Sequence, residues 1–220
     1  MARLIGPEEA VALVVQDGMT LMVGGFGLVG APLTLIRALN ASPRKDLTIV
    51  SNNLGEPGKG LGETLRLGKV RRAIGSFFTS NPEVAEARAQ GRIEVMLLPQ
   101  GTLSEAMRAG GAGLGGFYTP TGVGTLLAEG KEVREIGGKM YLLQEPLRAD
   151  VALVRAHKAD RLGNLVYYKT ARNFNPMMAT AAEVVIAEVD EVVDAGHLDP
   201  ESIVTPHPYV DYLVLAKERL

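Results

Sequence analysis

Apolar positions in the first two-thirds of the chain come in two alternating kinds, short unbroken runs and longer stretches with helical spacing. Thr20–Val23, Leu47–Val50, Val70–Phe78, Ile93–Leu98 and Val151–Arg155 are the runs, and they read as strands buried on both faces. Between them, Pro7-Glu8-Glu9 opens a helix that carries Val11, Val14 and Val15 on one face and closes at Asp17-Gly18. Proline suits the first helical position, and acids suit the positive N-terminal end. Leu33, Leu35, Ile36 and Leu39 mark a second helix entered through Ala31-Pro32, and Gly60–Leu67 reads as a short helical turn. Asn81-Pro82-Glu83 starts a helix through Ala89, with asparagine as the capping acceptor. After Pro99-Gln100-Gly101 another helix runs to about Arg108 and dissolves in the glycines from Gly110 to Gly116. This alternation predicts an α/β fold, an open and mostly parallel sheet flanked by helices.

The stretch from Phe117 to Pro146 breaks the rhythm. Glu132–Ile136 and Lys139–Leu143 flank Gly137-Gly138, the signature of a β-hairpin with a tight primed turn. Asn173–Ala181 reads as helical and Val184–Val189 as a last core strand. The tail after Asp194, with Pro200, Pro206 and Pro208, reads mostly as loop. With no internal repeat or low-complexity linker, residues 1–220 read as one α/β domain with a small β-hairpin insertion.

Composition narrows the function. With 220 residues and 46% apolar positions the chain can bury its own core. The net charge of −2 speaks against disorder and against a dedicated nucleic-acid binder. Zero cysteines rule out disulfides, thiolate metal sites and a thiol nucleophile. The histidines His157, His197 and His207 lack metal-ligand spacing. Glu8 and Glu9 interrupt any signal-peptide core, and Met19–Pro32 is shorter than the roughly 20 residues of a membrane span. A cytoplasmic protein is the expectation.

The glycines concentrate the candidate chemistry. Gly25-Phe26-Gly27-Leu28-Val29-Gly30 fits G-x-G-x-x-G between a strand and a helix, where backbone N–H groups can approach a phosphate or a developing negative charge. A nicotinamide site would need an acid at the end of the second strand, and that strand runs into Ser51-Asn52-Asn53. No G-K-[ST] follows, so there is no P-loop.

The longer string Asp17-Gly18-Met19-Thr20-Leu21-Met22-Val23-Gly24-Gly25-Phe26-Gly27-Leu28-Val29-Gly30-Ala31-Pro32 resembles the N-terminal signature of the α (A-type) subunit of the 3-oxoacid (family I) CoA-transferases. Further blocks resemble that polypeptide in order: Asn52-Asn53 with Gly58 to Gly62, Pro99-Gln100-Gly101-Thr102-Leu103, Arg108-Ala109-Gly110-Gly111-Ala112-Gly113, Phe117-Tyr118-Thr119-Pro120-Thr121-Gly122, Arg155 to Asp160, and Thr170-Ala171-Arg172-Asn173-Phe174-Asn175. The resemblance implies transfer of CoA between an acyl-CoA and a carboxylic acid. Coenzyme A then serves as a substrate carrier, and no cofactor is permanently bound. A glutamate attacks the thioester, an acyl anhydride forms, and CoA thiolate converts it to a glutamyl-CoA thioester.

In that family the nucleophile lies in a Ser-Glu-Asn-Gly stretch on the β (B-type) subunit, and no such stretch occurs here. Glu56, Glu63, Glu105 and Glu145 read as solvated helix or loop charges. The resemblance therefore implies a chain active only with a glutamate-bearing β subunit, in an α2β2 heterotetramer. This chain's own contribution would be donors: the backbone of Gly24, Gly25, Phe26, Gly27, Leu28, Val29 and Gly30 for the CoA or acyl end, and the amides of Asn52, Asn53 and Gln100 at successive strand ends. Gln100 is the first choice for an oxyanion donor.

Two other readings compete, a sugar-phosphate isomerase-like enzyme acting alone and a non-catalytic CoA- or nucleotide-binding module. The first needs a pocket carboxylate, and the second leaves the Asn52-Asn53 and Gln100 blocks without a purpose. From Arg155 to Arg172 five bases face one acid, Asp160, while Asn173 to Ala216 holds eight acids and no Lys or Arg. The basic segment would meet CoA phosphates or an acidic strip on the partner, or be solvated. The group Lys59, Arg66, Lys69, Arg71 and Arg72 has the same choices. Aromatics at Phe117-Tyr118, Tyr141, Tyr167-Tyr168 and Phe174 place part of the partner surface on Gly115–Thr125 and Tyr167–Phe174.

Overall fold

The computed structural model describes residues 1–217. Its strands are β1 (Arg3–Leu4), β2 (Thr20–Val23), β3 (Leu47–Val50), β4 (Val70–Gly75), β5 (Glu94–Leu97), β6 (Phe117–Thr119), β7 (Val133–Ile136), β8 (Lys139–Gln144), β9 (Ala149–Asp160), β10 (Leu165–Val166), β11 (Ala182–Val193) and β12 (Tyr212–Leu215). Its α-helices are α1 (Pro7–Val14), α2 (Leu33–Ala41), α3 (Leu61–Arg66), α4 (Pro82–Ala89), α5 (Gln100–Gly111) and α6 (Asn175–Thr180). The main sheet has the order β1-β12-β11-β9-β2-β3-β4-β5, parallel throughout, with β10 antiparallel to β9.

Side chains alternate across a strand, and here both faces are covered. Leu21 and Val23 of β2, Ile49 of β3 and Leu153 of β9 join the core under α1 to α4. Met22, Val50 and Val154, one residue out of step, join the core under α5 and α6 with Leu103, Met107 and Met178. Period two in the strands thus sorts one apolar run into two hydrophobic layers.

Several boundaries depart from the sequence expectation for physical reasons. β4 stops at Gly75 rather than Phe78, where the Ser76 and Phe77 N–H groups both turn to the Asn52 carbonyl at 3.0 Å. α5 runs through Gly111 rather than fading at Arg108. Its two glycines are needed for contact: a Cβ on Gly110 would meet the Leu147 carbonyl oxygen at 1.9 Å, and one on Gly111 the Thr180 hydroxyl at 2.5 Å. The predicted hairpin forms as β7 and β8, and β6 adds a third antiparallel strand against β8. β9 and β11 are each 12 residues long, roughly twice their apolar runs. The tail is mostly loop and short turns, as expected, but β12 within it enters the main sheet between β11 and β1.

Candidate functional site

Because β2, β3, β4 and β5 run in parallel, their carboxyl ends meet along one edge, where open α/β sheets hold ligands. The glycine loop follows β2, Ser51–Asn53 follows β3, Ser76 follows β4, and Pro99-Gln100 follows β5.

The glycine loop is a tight turn. Phe26 and Val29 exchange backbone hydrogen bonds of 2.9 and 3.2 Å around Gly27-Leu28, and Gly27 takes a φ of 62° that glycine tolerates at no steric cost. Glu56 and Lys59 repeat the device around Pro57-Gly58, with bonds of 2.9 and 3.3 Å. Phe26 and Val29 stand out at the surface while Gly24, Gly25 and Gly30 are buried. Most of the loop amides bind within the chain: Gly24 N–H to the Leu153 carbonyl, Gly25 N–H to Asn173 Oδ1 and Gly27 N–H to Asn53 Oδ1. Among the described residues the N–H groups of Leu28 and Gly30 have no acceptor.

Beside the loop lies a row of amides. Gly27 N donates to Asn53 Oδ1 at 3.0 Å, and Asn52 Nδ2 approaches the same oxygen at 3.5 Å. Asn52 Oδ1 accepts from Ser76 Oγ at 2.9 Å and from Gln100 Nε2 at 3.0 Å. Asn52 and Asn53 are 1% and 3% exposed, whereas Gln100 is exposed, so one donor at the end of the row is open to solvent and the others are fixed. The structure thus joins Asn52, Asn53 and Gln100, and it makes Gln100 the first residue of α5 rather than a loop residue. No aspartate or glutamate takes part in this row among the described residues. Glu56 faces Lys59 at 3.8 Å, and Glu105 is held by Arg108, whose guanidinium keeps its carboxyl below the usual range. No group of three or more His, Asp or Glu side chains could hold a metal among the described residues.

A second layer of asparagines supports the loop from the other side; the sequence placed both in a block of family resemblance, and Asn173 in the partner surface, but gave neither a contact with the loop. Asn173 Oδ1 accepts from Gly25 N at 3.2 Å while its Nδ2 donates to the Val29 carbonyl at 3.0 Å. Its φ of 22° is unusual for a side-chain-bearing residue, a strain that neighbouring structure must hold in place. Asn175 is fully buried and bridges the Arg155 amide, the Gly30 carbonyl and the Ala171 carbonyl at 2.8, 3.0 and 2.9 Å.

Below them Arg155, 2% exposed, pairs with Asp190 and faces Glu188 at 3.8 Å. Asp190 also meets His157 Nδ1 at 2.9 Å, so His157 is a hydrogen-bonded structural residue. Glu188 Oε2 accepts from Leu35 N at 3.0 Å and caps the start of α2. The charge asymmetry of the sequence is largely answered inside the chain. Lys158 meets Glu191 at 2.8 Å and Arg161 meets Asp194 at 2.7 Å, both across β9 and β11. In the other basic group, Lys69 is buried and donates to the Ser42 and Arg44 carbonyls, and Arg66 holds Glu83. The aromatic surface also needs correction: Phe174 is 6% exposed, and Tyr167 is largely buried with its hydroxyl on Thr205 at 2.7 Å. Tyr168 stays at the surface, with its ring 5.2 Å from His157.

The fold and this edge define an open parallel-sheet α/β protein whose ligand end is lined by a glycine turn and amides rather than by carboxylates. The chain belongs to the coenzyme A transferase family, whose model matches residues 5–216. It is 51% identical over 213 residues to the A-type subunit of the succinyl-CoA:3-ketoacid coenzyme A transferase of Xanthomonas campestris pv. campestris, covering 97% of this chain and 88% of that one. It is 49% identical over 203 residues to the alpha subunit of the acetate CoA-transferase of Escherichia coli K12, covering 92% of each. Among solved structures, an acyl-CoA transferase of Escherichia coli O157:H7 in a thioester complex with CoA superposes with a TM-score of 0.88 at 24% identity. That superposition covers all of this chain and 48% of the other, so the present chain spans about half the length of that structure. No helix among the described residues is long and apolar enough to cross a membrane.

Proposed function

We propose that this chain is the donor half of a two-subunit enzyme that moves CoA between an acyl-CoA and a short carboxylic or 3-oxo acid. The attacking glutamate comes from a separate β subunit, and the pair assembles as α2β2 in the cytoplasm. The observation that carries this reading is the row Asn53–Asn52–Gln100: neutral amides, fixed from behind, with no carboxylate among them. A partner that brings a carboxylate would complete it. Attack by that carboxylate on the thioester carbonyl drives charge onto the carbonyl oxygen, which the open end of the row can meet as an N–H donor. Donors already held in place cost no reorganisation at that moment. CoA thiolate leaves as the acyl-glutamyl anhydride forms. It then attacks the glutamyl carbonyl of that anhydride, which expels the first acid as its carboxylate and leaves the enzyme thioester. The steps reverse on the acceptor acid. The relatives are each named as one subunit of a CoA-transferase, the alpha or A-type one, which supports the division of labour.

The test is co-expression with a β subunit that carries the Ser-Glu-Asn-Gly stretch, followed by assay of CoA exchange. The complex should exchange CoA with ping-pong kinetics, and the purified single chain should not. Turnover by the single chain, or a thioester trapped on one of its own side chains, would sink the proposal.

A further inference from the structure

A cavity of about 400 Å3 opens between the first turns of α5 and the strand β6. Gly101, Thr102 and Glu105 form one wall, and Phe117, Tyr118 and Thr119 the other. Gln100 lies at its margin: the adjacent Pro99 and Gly101 line the cavity, while the Gln100 amide reaches Asn52. The cavity therefore begins where the amide row ends.

The wall made by α5 is an uncapped helix start. No side chain caps it, and its first turn carries no acid. Leu103 N–H is taken by the Pro99 carbonyl at 2.8 Å, but the N–H groups of Gln100, Gly101 and Thr102 have no acceptor among the described residues. Such a start favours an acceptor oxygen or a negative charge. An independent observation points the same way. Thr102 is 6% exposed, it lines the cavity, and its hydroxyl has no partner among the described residues. The Thr102 side chain is otherwise enclosed, but its hydroxyl oxygen is still reached from the cavity, so it can bond an oxygen brought there. Thr119 accepts from Thr121 N at 3.2 Å, which leaves its hydroxyl hydrogen free to donate as well. The Tyr118 hydroxyl is spent on Glu132 at 2.6 Å and offers the cavity its ring. The one carboxylate on the wall, Glu105, is gripped by Arg108 at 2.6 and 3.0 Å, which offsets its charge. Gly101 keeps the space open. A Cβ there would meet nothing within 4 Å, although alanine is the better helix former.

We propose that this cavity receives the far end of the acid substrate and is built for an acceptor oxygen there, a keto oxygen or a second carboxylate. This rests on the CoA-exchange reading given above. The reacting carboxyl lies at the amide row, and the remainder of the acid extends past Gln100 to the start of α5. Thr102 and the free N–H groups then select acids that carry oxygen beyond the reacting carbon. Phe117 and Tyr118 cover the hydrocarbon between.

The experiment uses the complex with the glutamate-bearing partner and compares kcat/KM for acetoacetate and for succinate, each against butyrate, which has four carbons and no far oxygen. Thr102→Val keeps the shape and removes the hydroxyl. It should lower the preference over butyrate about 5–50-fold, because a site built to bond an oxygen loses its selectivity with the donor. A drop for acetoacetate alone assigns the cavity to a keto oxygen, and a drop for succinate alone to a carboxylate. Gly101→Ala narrows the cavity without a clash in the chain. It should lower kcat/KM for the four-carbon acids relative to acetate by about tenfold, at unchanged or raised Tm. If CoA exchange persists and every ratio stays within about twofold of the parent in both variants, the cavity assignment is overturned. If the parent complex exchanges CoA with none of these acids, the functional reading fails and this inference fails with it.

Discussion

Asn175 fills the space that a side chain at Gly24 would need: a Cβ on Gly24 would lie 1.8 Å from Asn175 Oδ1. That oxygen accepts the Arg155 amide, and the nitrogen of the same group donates to the Gly30 and Ala171 carbonyls. One carboxamide therefore joins β9, both ends of the glycine loop and the turn that carries Asn173. Removing it as Asn175→Ala takes the partner from the Arg155 N–H and the Gly30 carbonyl, while the Ala171 carbonyl keeps the Asn173 amide at 3.2 Å. The expected cost is about 2–4 kcal/mol. For a chain of this size that lowers the thermal midpoint by about 4–16 °C. Gly24→Ala displaces the same amide and should act in the same direction. Thermal denaturation of both variants checks this, and midpoints within about 1 °C of the parent would refute the bridging role.

Gln100 bonds Asn52 through one hydrogen of its amide, and the second remains available at the exposed end of the row. Gln100→Ala removes that donor and leaves Asn52 still bonded to Ser76. In the reconstituted complex kcat should fall about 10–1000-fold with the thermal midpoint retained. Unchanged kcat would place Gln100 outside the reacting centre.

Glu188 ties stability to pH. Burial lifts its carboxyl above the ordinary value of 4.5, against the hydrogen bonds from Leu35 and Thr34 and the charge of Arg155, which pull it down. Between the ordinary and the raised value the folded chain holds a proton that the unfolded chain has released. The contribution of Glu188 to stability therefore falls as pH rises through that window and is flat above it. Glu188→Gln removes the slope. The thermal midpoint of the variant minus that of the parent should grow as pH rises from about 4.5 and then level off. A difference that shrinks with rising pH would contradict the assignment.

The sequence carried the strands whose neighbours are all apolar. Leu47–Val50 and Thr20–Val23 are buried runs bounded by turn residues, and they fold with those bounds. β9 and β11 looked half as long because charges interrupt their patterns past the apolar runs, at Lys158, Asp190 and Glu191. Those charges answer one another across the strand pair, over more than thirty residues of chain, as Arg155 does with Asp190 (a separation of 35 residues). Hydrophobic periodicity is blind to such pairing. The same holds for the site. The Asn52-Asn53 and Gln100 blocks could be named from side-chain chemistry and a family resemblance. That Gln100 bonds Asn52, or that Asn173 and Asn175 grip the glycine loop, depends on long-range approach that no local pattern encodes. The glycine loop itself was read as a set of open amides, whereas most of its N–H groups serve its own shape.

The pairing of Arg3-Leu4 with Tyr212-Leu213 has a consequence for how the chain is made. Of the strands in this sheet, β1 is made before all the others and finds its neighbour only in β12, made after them. Until Tyr212–Leu215 emerges, Ile186–Val189 of β11 presents an unpaired edge, open to strands from other nascent chains. Closing so long a loop is slow, so assembly of the sheet ends with β1 meeting β12.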